Sequence, residues 1–140
     1  MNYQKEILLK PYNRGFHLIT DIIEENLDSV LDSVNVGLVQ VFIKHTSASL
    51  TINENSDKSV RNDMELYYNE IASENKPYFT HIHEGDDDMP AHIKNSLLGS
   101  SITIPITNGK FNLGTWQGIY LCEHRNNGGQ RKILLTVIGD

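Results

Sequence analysis

The feature that most constrains the fold is an alternation of apolar and polar residues with a period of two in the second half of the chain. Residues 102–107 read I-T-I-P-I-T, and the Asn108-Gly109 dipeptide that follows is a strong β-hairpin signal. Pro105 predicts that this strand lies at a sheet edge or beside a bulge. We expect residues 111–125 to form the partner strand and residues 130–138 to form a last strand that is apolar on both faces.

The first third of the chain adds strands and one helix. Residues 3–9 and 15–20 are predicted strands, separated by a turn. Asp21 is predicted to open a helix, with Glu24 as its capping partner. The helical spacing of four apolar residues predicts a core-facing stripe: Ile23, Leu27, Val30 and Val34. Residues 37–43, G-L-V-Q-V-F-I, predict a central strand covered on both faces.

A strand and a second helix are predicted next. Leu50 and Ile52 alternate with polar residues, which predicts one apolar strand face. Ser56 or Asp57 is the expected N-cap of the helix, whose apolar stripe is predicted to be Val60, Met64, Tyr67 and Ile71. Three helices and seven or eight strands with late hairpins predict an α+β fold, a largely antiparallel sheet or β-sandwich, in one domain spanning residues 1–140.

Charge and composition narrow the class of function. The formal net charge of −6 and the pI near 5.4 argue against a nucleic-acid partner, since nucleic-acid binders usually carry a basic face. The single cysteine, Cys122, excludes an internal disulfide framework, and we expect it to pack as a small apolar residue. No apolar run is long enough to span a membrane, and no signal segment is evident. The expected location is therefore cytoplasmic.

Residues 81–96 concentrate the groups that carry chemistry. This stretch holds three histidines, one glutamate, three aspartates and one lysine in sixteen residues. Asp88 is the expected N-cap of a short helix that runs to Leu98, with Gly99 as its stop. We expect the imidazoles of His81 and His92 to meet that of His45 at one end of the sheet. The spacing contains neither H-E-x-x-H nor a cysteine pair, so it names no particular metal.

Three motifs carry a family resemblance: H-T-S-A-S-L-T-I-N-E-N at 45–55, E-G-D-D-D-M-P-A-H-I-K at 84–94, and S-S-I-T-I-P-I-T-N-G-K-F-N-L-G-T-W-Q-G-I at 100–119. Together they resemble the YjbQ-like family, whose members are also called secondary thiamine-phosphate synthases. The resemblance implies an α+β sandwich that forms a homotrimer, a polar pocket near the subunit boundary, and weak thiamine-phosphate synthase activity. It also implies a set of site residues: His45, Asn53, Glu54, Asp57, Asp88, His92, Lys94, Thr115, Trp116 and Gln117.

One hypothesis follows the resemblance to a transferase that joins a pyrimidine methyl diphosphate to a thiazole phosphate. Glu54, Asp57 and Asp88 would hold Mg²⁺ through oxygen, and Lys94 would contact a phosphate of the small phosphorylated substrate. Asn53 and Gln117 would bond ring or amino nitrogens. We expect Trp116 in the sheet core with Gln117 on the opposite face.

Two further hypotheses belong to other classes. A metal-assisted hydrolase would use His45, His81 and His92 around Zn²⁺, with Glu54 or Glu84 as the base. Imidazole ligands favour Zn²⁺ over Mg²⁺, whereas the carboxylates favour Mg²⁺. Alternatively, a non-catalytic trimer would bind an anion or metabolite in the same polar cluster. A Cys122–His124 dyad is a minor alternative site.

Overall fold

Eight strands and three helices make up the fold in a computed structural model that describes all 140 residues. The elements are β1 (Asn2–Leu9), β2 (Gly15–Leu18), α1 (Thr20–Leu31), β3 (Val36–Ile43), β4 (Ala48–Glu54), α2 (Lys58–Ile71), α3 (Asp88–Leu98), β5 (Ser101–Thr107), β6 (Lys110–Phe111), β7 (Gln117–Glu123) and β8 (Arg131–Gly139).

The strands form two antiparallel sheets, which confirms the predicted α+β class. The larger sheet has the order β1-β8-β3-β5-β6, and the smaller has the order β2-β7-β4. Strand β3 is central, as its apolar sequence predicted. Strand β5 pairs with β3 along its length but with the two-residue β6 only at Ile106 and Thr107. Pro105 therefore sits near the edge of the sheet, where a missing N–H is tolerated.

The main core lies between the two sheets and includes one side of α1. Apolar residues from six strands and from α1 form a single buried cluster, in which Ile23, Leu27 and Val39 are fully inaccessible. A smaller cluster of Phe16, Tyr120 and Cys122 lies on the other face of the small sheet. Helices α2 and α3 cover that face. The fold is thus layered as helices, small sheet, core and large sheet.

The start of α1 differs from the prediction. Asp21 lies in the first turn, and the N-cap is Ile19, which makes no side-chain cap. The reason is that β2 ends at Leu18, only one residue before α1 begins at Thr20. The Ile19 N–H donates to the Ile119 carbonyl at 2.8 Å, and the Thr20 hydroxyl accepts from the Ile119 N–H at 2.8 Å. Sheet hydrogen bonds therefore fix the start of the helix in place of an acidic capping box.

The predicted apolar stripe of α2 is also only partly right. Met64 and Tyr68, spaced i and i+4, pack on the small sheet. Tyr67 and Ile71, which the pattern assigned to the core, are 62% and 48% exposed. Because α2 packs on the sheet through Met64 and Tyr68, its half-buried stripe includes Tyr68 in place of the predicted Tyr67.

Candidate functional site

The start of α3 positions the candidate site. The helix begins at Asp88 and ends at Leu98, with Gly99 as its C-cap at φ 101°, a conformation that favours glycine. The N-cap is Asp87 and not the predicted Asp88, and its carboxylate does not cap the helix. Instead, Asp87 Oδ2 accepts from Arg125 Nε at 3.1 Å and from the Asn126 N–H at 2.8 Å. Asp88 is left free to face the histidines.

Two imidazoles and one carboxylate converge at this helix start. His81 Nε2 lies 2.6 Å from Asp88 Oδ2, and His92 Nε2 lies 3.1 Å from the same oxygen. The three ligand atoms all lie within 4.8 Å of one another. Glu84 is adjacent, with Oε2 3.5 Å from His81 Nε2. The Asp88 side chain is buried, whereas the side chains of His81 and His92 remain 43% and 31% exposed.

The hydrogen bonds around this cluster fix which atoms point inward. His92 Nδ1 lies 2.8 Å from the Thr46 carbonyl, which can only accept, so Nδ1 carries a proton. Nε2 is then the nitrogen that faces Asp88. Arg125 Nη1 donates to Asp88 Oδ1 at 2.5 Å, and Arg125 Nη2 donates to the Glu84 carbonyl at 2.8 Å. Asp88 therefore presents only Oδ2 to the imidazoles.

Electrostatics keep Asp88 ionised. Burial by itself would raise its pKa, but the hydrogen bonds from its neighbours, His81 first, and the charges of His92 and Arg125 outweigh burial and lower the pKa. An ionised carboxylate beside two ring nitrogens attracts a cation. That cation is either a proton on an imidazole or a metal ion coordinated by all three groups.

His45, predicted as a third imidazole of this cluster, lies outside it within the chain. Its Nε2 accepts from the Lys132 N–H at 2.8 Å, and its Nδ1 lies 3.3 Å from Arg131 Nη1. Burial, followed by the charge of Arg131, lowers the pKa of His45. The turn between β3 and β4 thus directs His45 toward β8. Both ring nitrogens face donors and neither is free to bind a metal.

The oxygen ligands predicted for Mg²⁺ are not gathered together. Glu54 Oε2 accepts from the N–H groups of Ser56 and Asp57 at 3.0 and 2.8 Å. Asp57 is the N-cap of α2, as predicted, and accepts from the Ser59 N–H at 2.9 Å. These carboxylates stabilise the turn from β4 into α2, and neither belongs to the group around Asp88.

Lys94 is buried, and Asn53 is half-buried. Lys94 is only 1% exposed, and its Nζ donates to Asn69 Oδ1 at 2.6 Å. Burial, then the charge of Arg14, lowers its pKa. Asn53 Nδ2 lies 3.5 Å from Met64 Sδ. Lys94 therefore does not present its amine to a phosphate in solvent, contrary to the prediction.

Thr115 and Trp116 form a turn that precedes β7, and Gln117 is the first residue of that strand. Trp116 is 63% exposed and does not enter the core, which corrects the prediction. Gln117 Oε1 accepts from the Gly114 N–H at 2.8 Å, and the Thr115 carbonyl accepts from Asn55 Nδ2 at 3.2 Å. The predicted long partner strand is in fact broken here, since β6 ends at Phe111 and β7 belongs to the other sheet. The prediction assumed one continuous strand through this break, and it therefore placed Trp116 in the core wrongly.

Comparison with known proteins identifies the family of this chain. A family model described as "UPF0047 protein YjbQ-like" matches residues 5–140. The chain belongs to the YjbQ-like family. It is 51% identical to the UPF0047 protein YjbQ of Salmonella typhimurium and 49% identical to that of Escherichia coli O157:H7, each over 140 residues and 100% of both chains.

Solved structures of YjbQ-like proteins share the fold. A YjbQ/UPF0047 protein from Clostridium acetobutylicum is 37% identical, with a TM-score of 0.84 over 96% of this chain and 99% of that one. A Sulfolobus solfataricus protein described as of unknown function is 23% identical, with a TM-score of 0.88 over 100% and 99%. These relatives' names state no reaction. No helix of the present structure has both the length and the apolar character needed to cross a membrane.

Sequence reasoning missed two buried polar pairs in this YjbQ-like chain. Ser49 Oγ lies 2.9 Å from His124 Nε2, and Glu123 binds Arg131 through bonds of 2.6 and 2.7 Å. Strand periodicity places Cys122 and His124 on one face, but only the β4–β7 register brings Ser49 beside them. Burial raises the pKa of the Cys122 thiol, so this cysteine is an inert core residue, as predicted.

Proposed function

We propose that this chain is a metal-dependent hydrolase whose Zn²⁺ is bound by His81, Asp88 and His92. The observation that carries the proposal is the convergence of two imidazole Nε2 atoms and one carboxylate oxygen within 4.8 Å. Ligand atoms around tetrahedral Zn²⁺ lie about 3.4 Å apart, given bonds of about 2.1 Å. Small side-chain rotations therefore suffice to close the site.

The chemistry of the donors favours zinc over magnesium. Two imidazoles with one carboxylate suit Zn²⁺ or a related transition metal, whereas Mg²⁺ requires oxygen ligands. Three protein ligands are typical of catalytic zinc sites, which keep one coordination position for water or substrate. The partial exposure of His81 and His92 supports access to such a position. The Thr46 carbonyl and Arg125 supply the outer hydrogen bonds that fix His92 and Asp88.

Each side chain has a role in this proposal. Bound zinc would supply Lewis acidity for attack by water on an ester or related bond. Glu84, beside His81 and mostly exposed, is positioned to accept the proton from that water. Of the two predicted bases we favour Glu84, because Glu54 is engaged by two backbone N–H groups. Arg125 is a positioning residue that aims Asp88.

The transferase hypothesis receives no such support. A thiamine-phosphate synthase site would need Glu54, Asp57 and Asp88 around Mg²⁺ and Lys94 at a phosphate. Glu54 and Asp57 stabilise a turn, and Lys94 is buried against Asn69. We therefore prefer the hydrolase.

Zinc affinity tests the metal site directly. We expect chelator competition on untagged protein to show one Zn²⁺ per chain, and His81→Ala and His92→Ala each to weaken binding by about 100-fold or more, since each removes a ligand. His83→Ala is the matched control, because His83 is exposed and outside the cluster. Unchanged affinity in both ligand variants would exclude this centre.

Hydrolysis is tested separately with Glu84→Gln. On a panel of carboxylic and phosphoric esters, we expect this variant to keep its zinc while its rate falls by about 10²-fold or more. Asp86→Asn, also exposed in the same loop, should retain the full rate. If the zinc-loaded protein hydrolyses none of the panel, or if Glu84→Gln is fully active, the assignment of hydrolase chemistry fails even where zinc binds.

We also propose that the chain forms a homotrimer through the outer face of the larger sheet. Residues that alternate with the buried ones point away from the core, and several are large, apolar and 39–67% exposed: Leu8, Val36, Leu38, Phe42 and Ile138. No helix of this chain covers them. A face of this kind marks an interaction site, and copies of the same chain are the occupant that the family resemblance implies.

A further inference from the structure

A second cleft lies between β2 and the first half of α2. Its volume is about 300 Å³, near the lower end of the range for small-molecule sites. Eight residues line it: Arg14, Gly15, Phe16, His17, Lys58, Arg61, Asn62 and Glu65. Three carry a fixed positive charge and only one carries a negative charge. This local balance is the reverse of the whole chain, whose formal net charge is −6.

Two of these cations have no carboxylate partner. Neither Lys58 nor Arg61 lies within 4.0 Å of an acidic oxygen. Arg61 Nε donates to the Tyr120 hydroxyl at 2.9 Å, and its Nη2 lies 3.4 Å from the Asn55 carbonyl. These neutral acceptors hold the guanidinium in place without neutralising its charge. Arg61 is therefore a fixed cation that faces the cleft.

Arg14 adds a third cation from the opposite wall. Its Nη1 and Nη2 bind Glu74 Oε1 and Asn69 Oδ1 at 2.9 and 2.7 Å. Its Nε is buried without a hydrogen bond, 3.4 Å from Glu65 Oε1. Two carboxylates, Glu65 and Glu74, thus already pair with Arg14, so the unpaired positive charge of the cleft comes from Lys58 and Arg61.

The geometry points to a phosphate-binding cleft, and we propose that it holds the phosphate group of a small phosphorylated metabolite. Arginine and lysine on opposing walls match the several acceptor oxygens of a phosphate dianion. Asn62 adds an amide donor. The cleft is formed by other elements than the proposed zinc ligands, so it stands independently of the hydrolase.

Calorimetric titration of the full, chelator-treated chain with inorganic phosphate, pyrophosphate and citrate tests the proposal. We expect phosphate and pyrophosphate to bind, more weakly as salt rises, and His92→Ala to bind equally well. Lys58→Gln should weaken binding by about tenfold, and so should Arg61→Gln. Glu65→Gln should strengthen it, because that change removes the only carboxylate in the lining.

Lys76→Gln is the matched control, since Lys76 is an exposed lysine outside the cleft. Lys58 is exposed and unpaired, so its variant keeps the test valid if Arg61→Gln folds poorly. Three results would overturn the proposal. They are no phosphate binding up to about 10 mM, phosphate binding that both Lys58→Gln and Glu65→Gln leave unchanged, and citrate binding as tight as pyrophosphate.

Discussion

His124 shows how burial sets the protonation state of a single side chain. It is 2% exposed, and its Nε2 shares a hydrogen bond with the Ser49 hydroxyl. Burial, followed by the positive charges of Lys94, Arg131 and Arg14, lowers its pKa to about 3. The imidazole of the folded chain is therefore neutral above about pH 3. Since Ser49 is fully buried too, the pair is a structural hydrogen bond and no accessible nucleophile.

This depressed pKa predicts an acid-sensitive fold. Between pH 6.5 and 3 the unfolded chain protonates His124 while the folded chain does not, so the free energy of unfolding falls as the pH falls. The contribution is about 1.4 kcal/mol per pH unit, or roughly 3 kcal/mol at pH 4. We expect urea denaturation of His124→Gln to show a shallower loss of stability between pH 6.5 and 4 than the parent chain.

The exposed His83 supplies the control for this titration. His83→Gln is the matched control, because it makes the same substitution at an exposed position. Equal slopes in the parent chain and His124→Gln would show that the acid sensitivity arises from the carboxylates alone, such as Asp88 with its lowered pKa.

The candidate site was predictable from local sequence only in part. Asp88 and His92 are spaced i and i+4 on α3, so any helix there places them on one face. His81 precedes the helix on a loop close enough to reach Asp88. His45, by contrast, is 36 residues before His81, and its direction depends on hydrogen bonds to β8. No local pattern encodes such a contact.

At the scale of elements, the Glu123–Arg131 pair links the two sheets. Glu123 ends β7 in the small sheet, and Arg131 begins β8 in the large one. Both side chains are buried, at 0% and 5% exposure. Removing one partner leaves an uncompensated buried charge, so we expect Arg131→Met to lower the free energy of unfolding by about 3–5 kcal/mol in urea melts.

A double variant separates lost charge from lost packing. Glu123→Gln with Arg131→Met removes both charges and should recover part of that stability. The exposed Lys44–Glu6 pair is the surface control, and Lys44→Gln should change stability little. An Arg131→Met variant as stable as the parent chain would mean that Glu123 is solvated or protonated in the folded state.

Element boundaries were predicted well where local signals agree. Asn108 and Gly109 have φ of 49° and 78°, the left-handed conformations that the hairpin signal requires. The end of α3 at Leu98 with Gly99 as its stop was predicted to the residue, and its start was wrong by one residue. The errors at Tyr67 and Trp116 arose where a partner element decides which face is buried. Such choices depend on tertiary packing, which periodicity does not contain.

At the scale of the whole molecule, the packing of the two sheets covers one face of the larger sheet and leaves its outer face exposed. The apolar sequence of β3 predicted a strand covered on both faces. Within one chain only one face is covered, since Leu38 and Phe42 are 43% and 39% exposed. The prediction is therefore right for the inner face of β3 and wrong, within one chain, for its outer face. A second chain on this face would account for both observations.

The homotrimer makes that explanation testable. Light scattering at micromolar concentration should give about three times the 15.9 kDa chain mass. Leu38→Asp should shift the mass toward the monomer, because it places a charge in the proposed interface. Leu66→Asp is the matched control, since Leu66 is 68% exposed on α2, away from the sheet. If the parent chain is monomeric, or if Leu66→Asp dissociates it while Leu38→Asp does not, the outer sheet face is not the assembly surface.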